Sequence, residues 1–148
     1  MPEPTTYLLD TNIILALLRD NALGKAVDRE YGLSASLNRN LVSVVSVGEL
    51  LSLAVKLGWG AEKRESLETA LQELIWIDVN DRLVLDSYAI IDAFSETNGR
   101  RMGKNDIWIA ASAAVTQSIL LTTDQDFDHL QGTHIQRIWI DPNTGSNP

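Results

Sequence analysis

Four carboxylates stand where short apolar runs give way to polar residues. They are Asp10 in YLLDTNIILALL, Glu49 in SVVSVGELL, Asp106 in NDIWIAASA and Asp124 in LLTTDQDF. Singly, each has an ordinary task. Asp, Asn, Ser and Thr accept hydrogen bonds from the free N–H groups at helix starts. Asp10-Thr11-Asn12 therefore reads as a turn and cap between two buried segments. Ser46-Val47-Gly48-Glu49 reads as a capping box, with Ser46 at N-cap and Glu49 at N3. Asn105 or Asp106 suits an N-cap, and Asp124 suits the start of a helix at Gln125. The two roles are compatible, because a helix N-terminus also favours anions.

Taken together, the four acids call for something more. Carboxylates brought to one rim repel one another, and some would protonate or splay unless a counter-charge is supplied. A hard divalent ion such as Mg²⁺ supplies it through oxygen ligands and retained waters. Two such ions ~3.5–4 Å apart can clamp the attacking and leaving oxygens of a phosphoryl displacement. The chemistry indicated is metal-assisted cleavage or transfer at phosphate.

The elements that must position these acids alternate. Tyr7–Leu9, Leu41–Val45, Ile75–Val79, Ile119–Thr122 and Arg137–Ile140 read as strands. Ile13–Leu18, Leu23–Tyr31, Ser46–Leu57, Glu62–Leu74, Arg82–Glu96 and Ile107–Val115 read as helices, from apolar residues at three-and-four spacing and from Gly32, Gly58 and Asn98-Gly99 as stops. Strands separated by helices require crossover connections. The expected fold is α/β, an α/β/α sandwich with a mostly parallel sheet of about five strands. Ligands of such sheets bind beyond the carboxyl ends of the strands. Asp10, Glu49 and Asp124 follow strands and fall there by topology. Asp106 opens the helix that feeds the Ile119–Thr122 strand.

Composition narrows the class. The 148 residues suffice for one domain, taken as 1–148 with residues 1–6 and 142–148 as flexible tails. No apolar stretch approaches the ~20 residues of a membrane span, and the N-terminus lacks the features of a signal peptide. The absence of cysteine excludes disulfides and thiolate metal sites and fits a cytoplasmic protein. The formal charge of −8 disfavours general nucleic-acid binding. Two bound divalent ions would halve it. Arg100, Arg101 and Lys104, just before Asp106, offer either a local phosphate grip or favourable charges at the preceding helix end. Lys56, Lys63 and Arg64 read as solvated faces. His129 and His134 read as surface histidines, and Trp59, Trp76, Trp108 and Trp139 as packing residues. No nucleophile elbow, P-loop or dinucleotide fingerprint is present.

The ordered blocks LLDTNII, SVVSVGELL, NDIWIAASA and LLTTDQDF resemble those of PIN-domain ribonucleases, and in particular the VapC toxins of type II toxin–antitoxin (VapBC) modules. The resemblance spans Tyr7 to Phe127, with Ile138-Trp139-Ile140 like the last strand of the family. It implies a Mg²⁺-dependent endoribonuclease, with Mn²⁺ as an alternative ion. It carries the acidic quartet onto Asp10, Glu49, Asp106 and Asp124. Asp10 and Asp106 would be the main metal ligands, with Glu49 and Asp124 completing the site directly or through water. It also implies an RNA substrate, a homodimer and a cognate VapB-type antitoxin. Asp126 either substitutes for Asp124 or faces solvent. Asn12 and Thr122 or Thr123 either orient the ligands or only hold turns. Competing readings are a housekeeping PIN ribonuclease, a Mg²⁺-dependent phosphatase or phosphotransferase built on Asp124-x-Asp126, a signalling receiver domain, and a non-catalytic PIN-like binding module. A phosphatase would need its acid pair after the first strand. A receiver would need a lysine after the last strand, where Asp141-Pro142 stands.

Overall fold

A computed structural model of the protein describes residues 5–35 and 39–147, apart from the side chain of Arg39. Five strands, β1 (Thr6–Leu9), β2 (Arg39–Ser43), β3 (Ile75–Ile77), β4 (Ile119–Thr122) and β5 (Gln136–Trp139), form one sheet in the order β3-β2-β1-β4-β5. Every neighbouring pair is parallel. Leu8 of β1 is in register with Leu41 and Leu120, and Leu9 with Leu121. The fold is thus the α/β class that the alternating pattern predicts.

Side chains on a strand alternate between faces, so this register sorts the core into two layers. Leu9, Val42 and Leu121 point to one face, together with Ile13, Val27, Leu50, Leu67 and Leu71. The covering helices there are α1 (Thr11–Arg19), α2 (Ala22–Tyr31), α3 (Val44–Lys56) and α4 (Ala61–Gln72). Leu8, Leu41 and Leu120 point to the other face, against Ile91 of α5 (Arg82–Thr97), Ile107 and Ile109 of α6 (Lys104–Thr116), and Phe127 and Leu130 of a 3₁₀ segment, Gln125–Leu130. The alanines of α6, Ala110, Ala111 and Ala113, are fully buried and leave room for α5 to pack against it.

Several boundaries differ from the sequence expectation: α6 starts at Lys104 with Gly103 at its N-cap, so neither Asn105 nor Asp106 caps it, and three further differences have local reasons. Ser43, not Ser46, caps α3: its hydroxyl accepts from the Val45 N–H at 3.1 Å. The β-branched pair Val44-Val45 reads as strand but forms the first helical turn, and no capping box exists at Ser46–Glu49. Glu49 sits in the second turn, and Ser46 is buried with its hydroxyl unpaired. β3 is short and lies at the sheet edge, where Ile75 and Trp76 are exposed. The segment read as a C-terminal tail closes into a turn, with the Asp141 N–H donating to the Ser146 carbonyl at 3.0 Å. Gly145, at φ +73°, is buried against Leu23 and Ala26 of α2. α1 and α2 approach so closely that a Cβ on Gly24 would collide with the Ala16 carbonyl.

Candidate metal centre

β1 is the central strand, and the chain leaves its carboxyl end at Asp10. The Asp10 N–H still donates to the Leu121 carbonyl at 3.0 Å, so the residue remains tied to the sheet. Its side chain is 5% exposed. One oxygen, Oδ1, accepts from the Thr11 N–H at 2.8 Å and caps α1. The other accepts from the Thr122 hydroxyl at 2.7 Å. Thr122, at the end of the adjacent β4, is wholly buried, and its oxygen also accepts from the Asp124 N–H at 2.9 Å. One hydroxyl thus joins two of the acids across a separation of more than a hundred residues.

Asp124 caps the 3₁₀ segment, its Oδ1 accepting from the Asp126 N–H at 2.8 Å. Asp106 lies in the first turn of α6, half-buried. Asp106, Asp124 and the exposed Asp126 each place one carboxylate oxygen within 4.8 Å of the other two. Glu49 approaches from α3, its Oε1 accepting from the Thr11 hydroxyl at 2.9 Å. Asp106 feels the charges of Asp10, Asp124, Asp126 and Glu49 together. All four residues of the predicted quartet therefore converge on one rim, and Asp126 joins them.

The surroundings of this rim are anionic and partly dry. Burial is the largest influence on Asp10 and lifts its pKa from 3.8 to about 6. The bonds from Thr122 and Thr11 hold it down, while Asp124 and Glu49 push it further up. Burial followed by the four neighbouring carboxylates raises Asp106 to about 7. Among the described residues the ion pairs are Arg82–Asp86 and Arg137–Asp128, so no basic side chain pairs with these five acids. An all-oxygen donor set that repels itself and has no paired cation suits a hard divalent ion. Asp106, Asp124 and Asp126 fit one ion by their spacing, with Asp10 and Glu49 alongside.

Of the two alternatives open for Asn12, orienting a ligand or holding a turn, its placement gives no support to the first. Asn12 is exposed and its side chain bonds to none of the acids among the described residues, whereas Thr11 holds Glu49. Thr11 and Glu49 are 38 residues apart, so no local spacing announces the contact. Thr123 contributes only its carbonyl, which accepts from Trp139 Nε1 at 3.0 Å and fixes the turn leading into Asp124. His129 is not a free surface residue. Its Nε2 lies 2.8 Å from Oγ of Ser95, which is 1% exposed.

The comparisons with known proteins agree with this architecture. The PIN domain model matches residues 7–132, and the chain belongs to the PIN domain family, a family of nuclease type whose members generally use divalent metal. The fold is similar to that in the structure of VapBC2 from Rickettsia felis bound to a DNA fragment from their promoter. There the TM-score is 0.78 at 21% identity, covering 93% of this chain and 100% of that one. VapBC-1 from nontypeable Haemophilus influenzae gives a TM-score of 0.74 at 24% identity, covering 91% of this chain and 98% of that one. VapBC-5 from Mycobacterium tuberculosis, a member of the VapBC family of toxin–antitoxin systems, gives 0.66 at 25%, covering 93% and 100%. No curated protein matches the chain by sequence. No helix among the described residues is long and apolar enough to cross a membrane.

Proposed function

We propose that this PIN domain protein is a metal-dependent endoribonuclease that cleaves RNA phosphodiester bonds, and that it is the VapC-type toxin of a VapBC pair. The observation that carries the reading is the convergence of Asp10, Glu49, Asp106, Asp124 and Asp126 at the carboxyl ends of β1 and β4. A bound Mg²⁺ or Mn²⁺ would supply a Lewis acid and lower the pKa of a coordinated water. Asp106, Asp124 and Asp126 would hold it by their spacing, with Asp10 and Glu49 completing the site alongside. Thr122 orients Asp10 by donating to its Oδ2, and Thr11 orients Glu49 by donating to its Oε1. The second oxygen of Glu49 is clear of the Thr11 bond, whereas each Asp10 oxygen already accepts one hydrogen bond and would meet a ligand through its remaining lone pair.

VapBC complexes among the structural neighbours support a VapB-type antitoxin as partner. Leu51 and Val55 of α3, Leu57 at its C-cap, and Leu83, Leu85 and Ile90 on α5 are large exposed apolar side chains available for homodimer contacts. The test is cleavage of total cellular RNA by purified, antitoxin-free protein with Mg²⁺, with Mn²⁺ and with chelator, beside Asp10→Asn. Discrete metal-dependent products that vanish in the variant are expected. No products from folded, metal-supplied protein, or equal cleavage by Asp10→Asn, would overturn the assignment.

A further inference from the structure

We infer that the loop between α5 and α6 is a phosphate-binding ledge, on which Arg100, Arg101 and Lys104 grip the backbone of single-stranded RNA beside the scissile phosphate. The inference rests on the ribonuclease reading and adds to it the surface that holds the substrate. The chain carries a formal charge of −8, and five acids crowd the proposed site. A polyanion approaching such a rim is repelled at every phosphate not engaged by metal, so substrate affinity needs fixed cations close by. Residues 98–105, Asn-Gly-Arg-Arg-Met-Gly-Lys-Asn, contain three cations and no acid, and no other five-residue stretch of the chain holds three basic residues.

Arg100, Arg101 and Lys104 are exposed and enter no ion pair among the described residues, although Asp92 and Glu96 line the same groove as the two arginines. The ledge adjoins the acids directly. Lys104 opens α6 two residues before Asp106, and a Cβ built on Gly103 would lie 3.9 Å from Asp106 Oδ2.

The ledge is also held in place, which a merely solvated charge run does not require. Buried Ser95 is the pin. Its carbonyl accepts from the Arg100 N–H at 2.8 Å, and its Oγ lies 3.3 Å from Met102 Sδ and 2.8 Å from His129 Nε2. His129 belongs to the 3₁₀ segment capped by Asp124, and its ring bonds to the backbone of Asp126. One serine therefore fixes the basic loop to the segment that carries two of the clustered acids. Cations at a set distance from the reacting phosphate pre-organise the strand and lower the ordering cost of binding.

The experiment measures binding of a fluorescent single-stranded RNA to Asp10→Asn protein, which leaves the RNA uncut, across a salt series with Mg²⁺ present. Adding Arg100→Gln and Arg101→Gln is expected to weaken binding about tenfold and to flatten the log K against log salt slope by about 1.4, the value for two lost phosphate contacts on a single strand. The double Arg→Lys variant restores most of the slope, and Lys56→Gln, an exposed cation at the end of α3, leaves it unchanged. Thermal midpoints unchanged by these surface substitutions establish that all variants are folded. An unaltered slope in the double glutamine variant, or an equal loss in Lys56→Gln, overturns the ledge while leaving the nuclease reading intact. A parent protein that binds no RNA overturns both.

Discussion

Asp10→Asn should stabilise the metal-free protein at alkaline pH while abolishing its activity. Asp10 has an ordinary carboxyl pKa of 3.8 in the unfolded chain and about 6 in the folded protein. Between those values the native state holds the extra proton, so the contribution to stability is full below pH 3.8 and is lost as pH rises through 6. By pH 8 the buried charge costs about 3 kcal/mol, at about 1.4 kcal/mol for each tenfold change in proton affinity. Asp106, raised to about 7, acts in the same direction, and its partial exposure screens part of the effect. Asparagine keeps the shape and carries no charge. It has one acceptor oxygen where the carboxylate has two, so it can satisfy the Thr11 N–H or the Thr122 hydroxyl but not both, at a cost of about 1 kcal/mol. The balance is a gain of about 2 kcal/mol at pH 8, or roughly 6 °C in Tm for a chain of this length. Near pH 5 the folded carboxyl is mostly protonated while the unfolded one is mostly ionised, so about half of the cost remains and the advantage shrinks to about 0.5 kcal/mol. Urea and thermal denaturation followed by circular dichroism, in chelator at pH 5 and pH 8, measure both values. Added Mg²⁺ should raise the wild-type midpoint and narrow the gap at pH 8. A variant less stable than wild type at pH 8, or a difference independent of pH, would refute the account of Asp10 as a buried charge awaiting a cation.

Three other substitutions test separate parts of the architecture. Glu49→Gln retains an acceptor oxygen for the Thr11 hydroxyl, so it should fold within about 0.5 kcal/mol of wild type and lose most RNA cleavage; an active enzyme would assign Glu49 a structural role alone. Thr122→Val removes the donor to Asp10 and the acceptor for the Asp124 N–H inside a buried space. It should cost about 2 kcal/mol and weaken Mn²⁺ binding, as read by denaturation and calorimetry, whereas Thr122→Ser restores both. Gly24→Ala forces a methyl group into the Ala16 carbonyl and should cost upward of about 2 kcal/mol of folding stability; a neutral result would mean that α1 and α2 separate easily.

The sheet was legible because parallel strands buried on both faces leave short apolar runs between amphipathic helices. Tyr7–Leu9 and Ile119–Thr122 could hardly be anything else. The acids were legible because topology alone sends Asp10 and Asp124 to the carboxyl edge. The Val44-Val45 pair misled because β-branching signals strand, while the Ser43 side chain and the packing of Val47 and Leu50 decide for helix. What holds the acids was legible only in part: Thr122 could be singled out as orienting a ligand or holding a turn, but its partner Asp10 could not, and Thr11 was not singled out. Thr11–Glu49, Thr122–Asp10 and Ser95–His129 join residues 38, 112 and 34 positions apart, and each uses residue types that are common in turns and helices. Such contacts exist only once the sheet has set the distances.

The pairing of β1 with β4 has a consequence for when the acid cluster can first form during synthesis. β1 is made more than a hundred residues ahead of β4, its neighbour on one side at residues 119–122, and the rim is incomplete before Asp126. No fragment that stops short of β4 contains the full acid cluster, however well its helices form. The nascent chain therefore has no assembled site until Asp126 has been added, and a contact of such long range is also slow to close. In a cell where a neutralising partner must be made in step, that order of assembly grants a delay written into the strand order of the sheet.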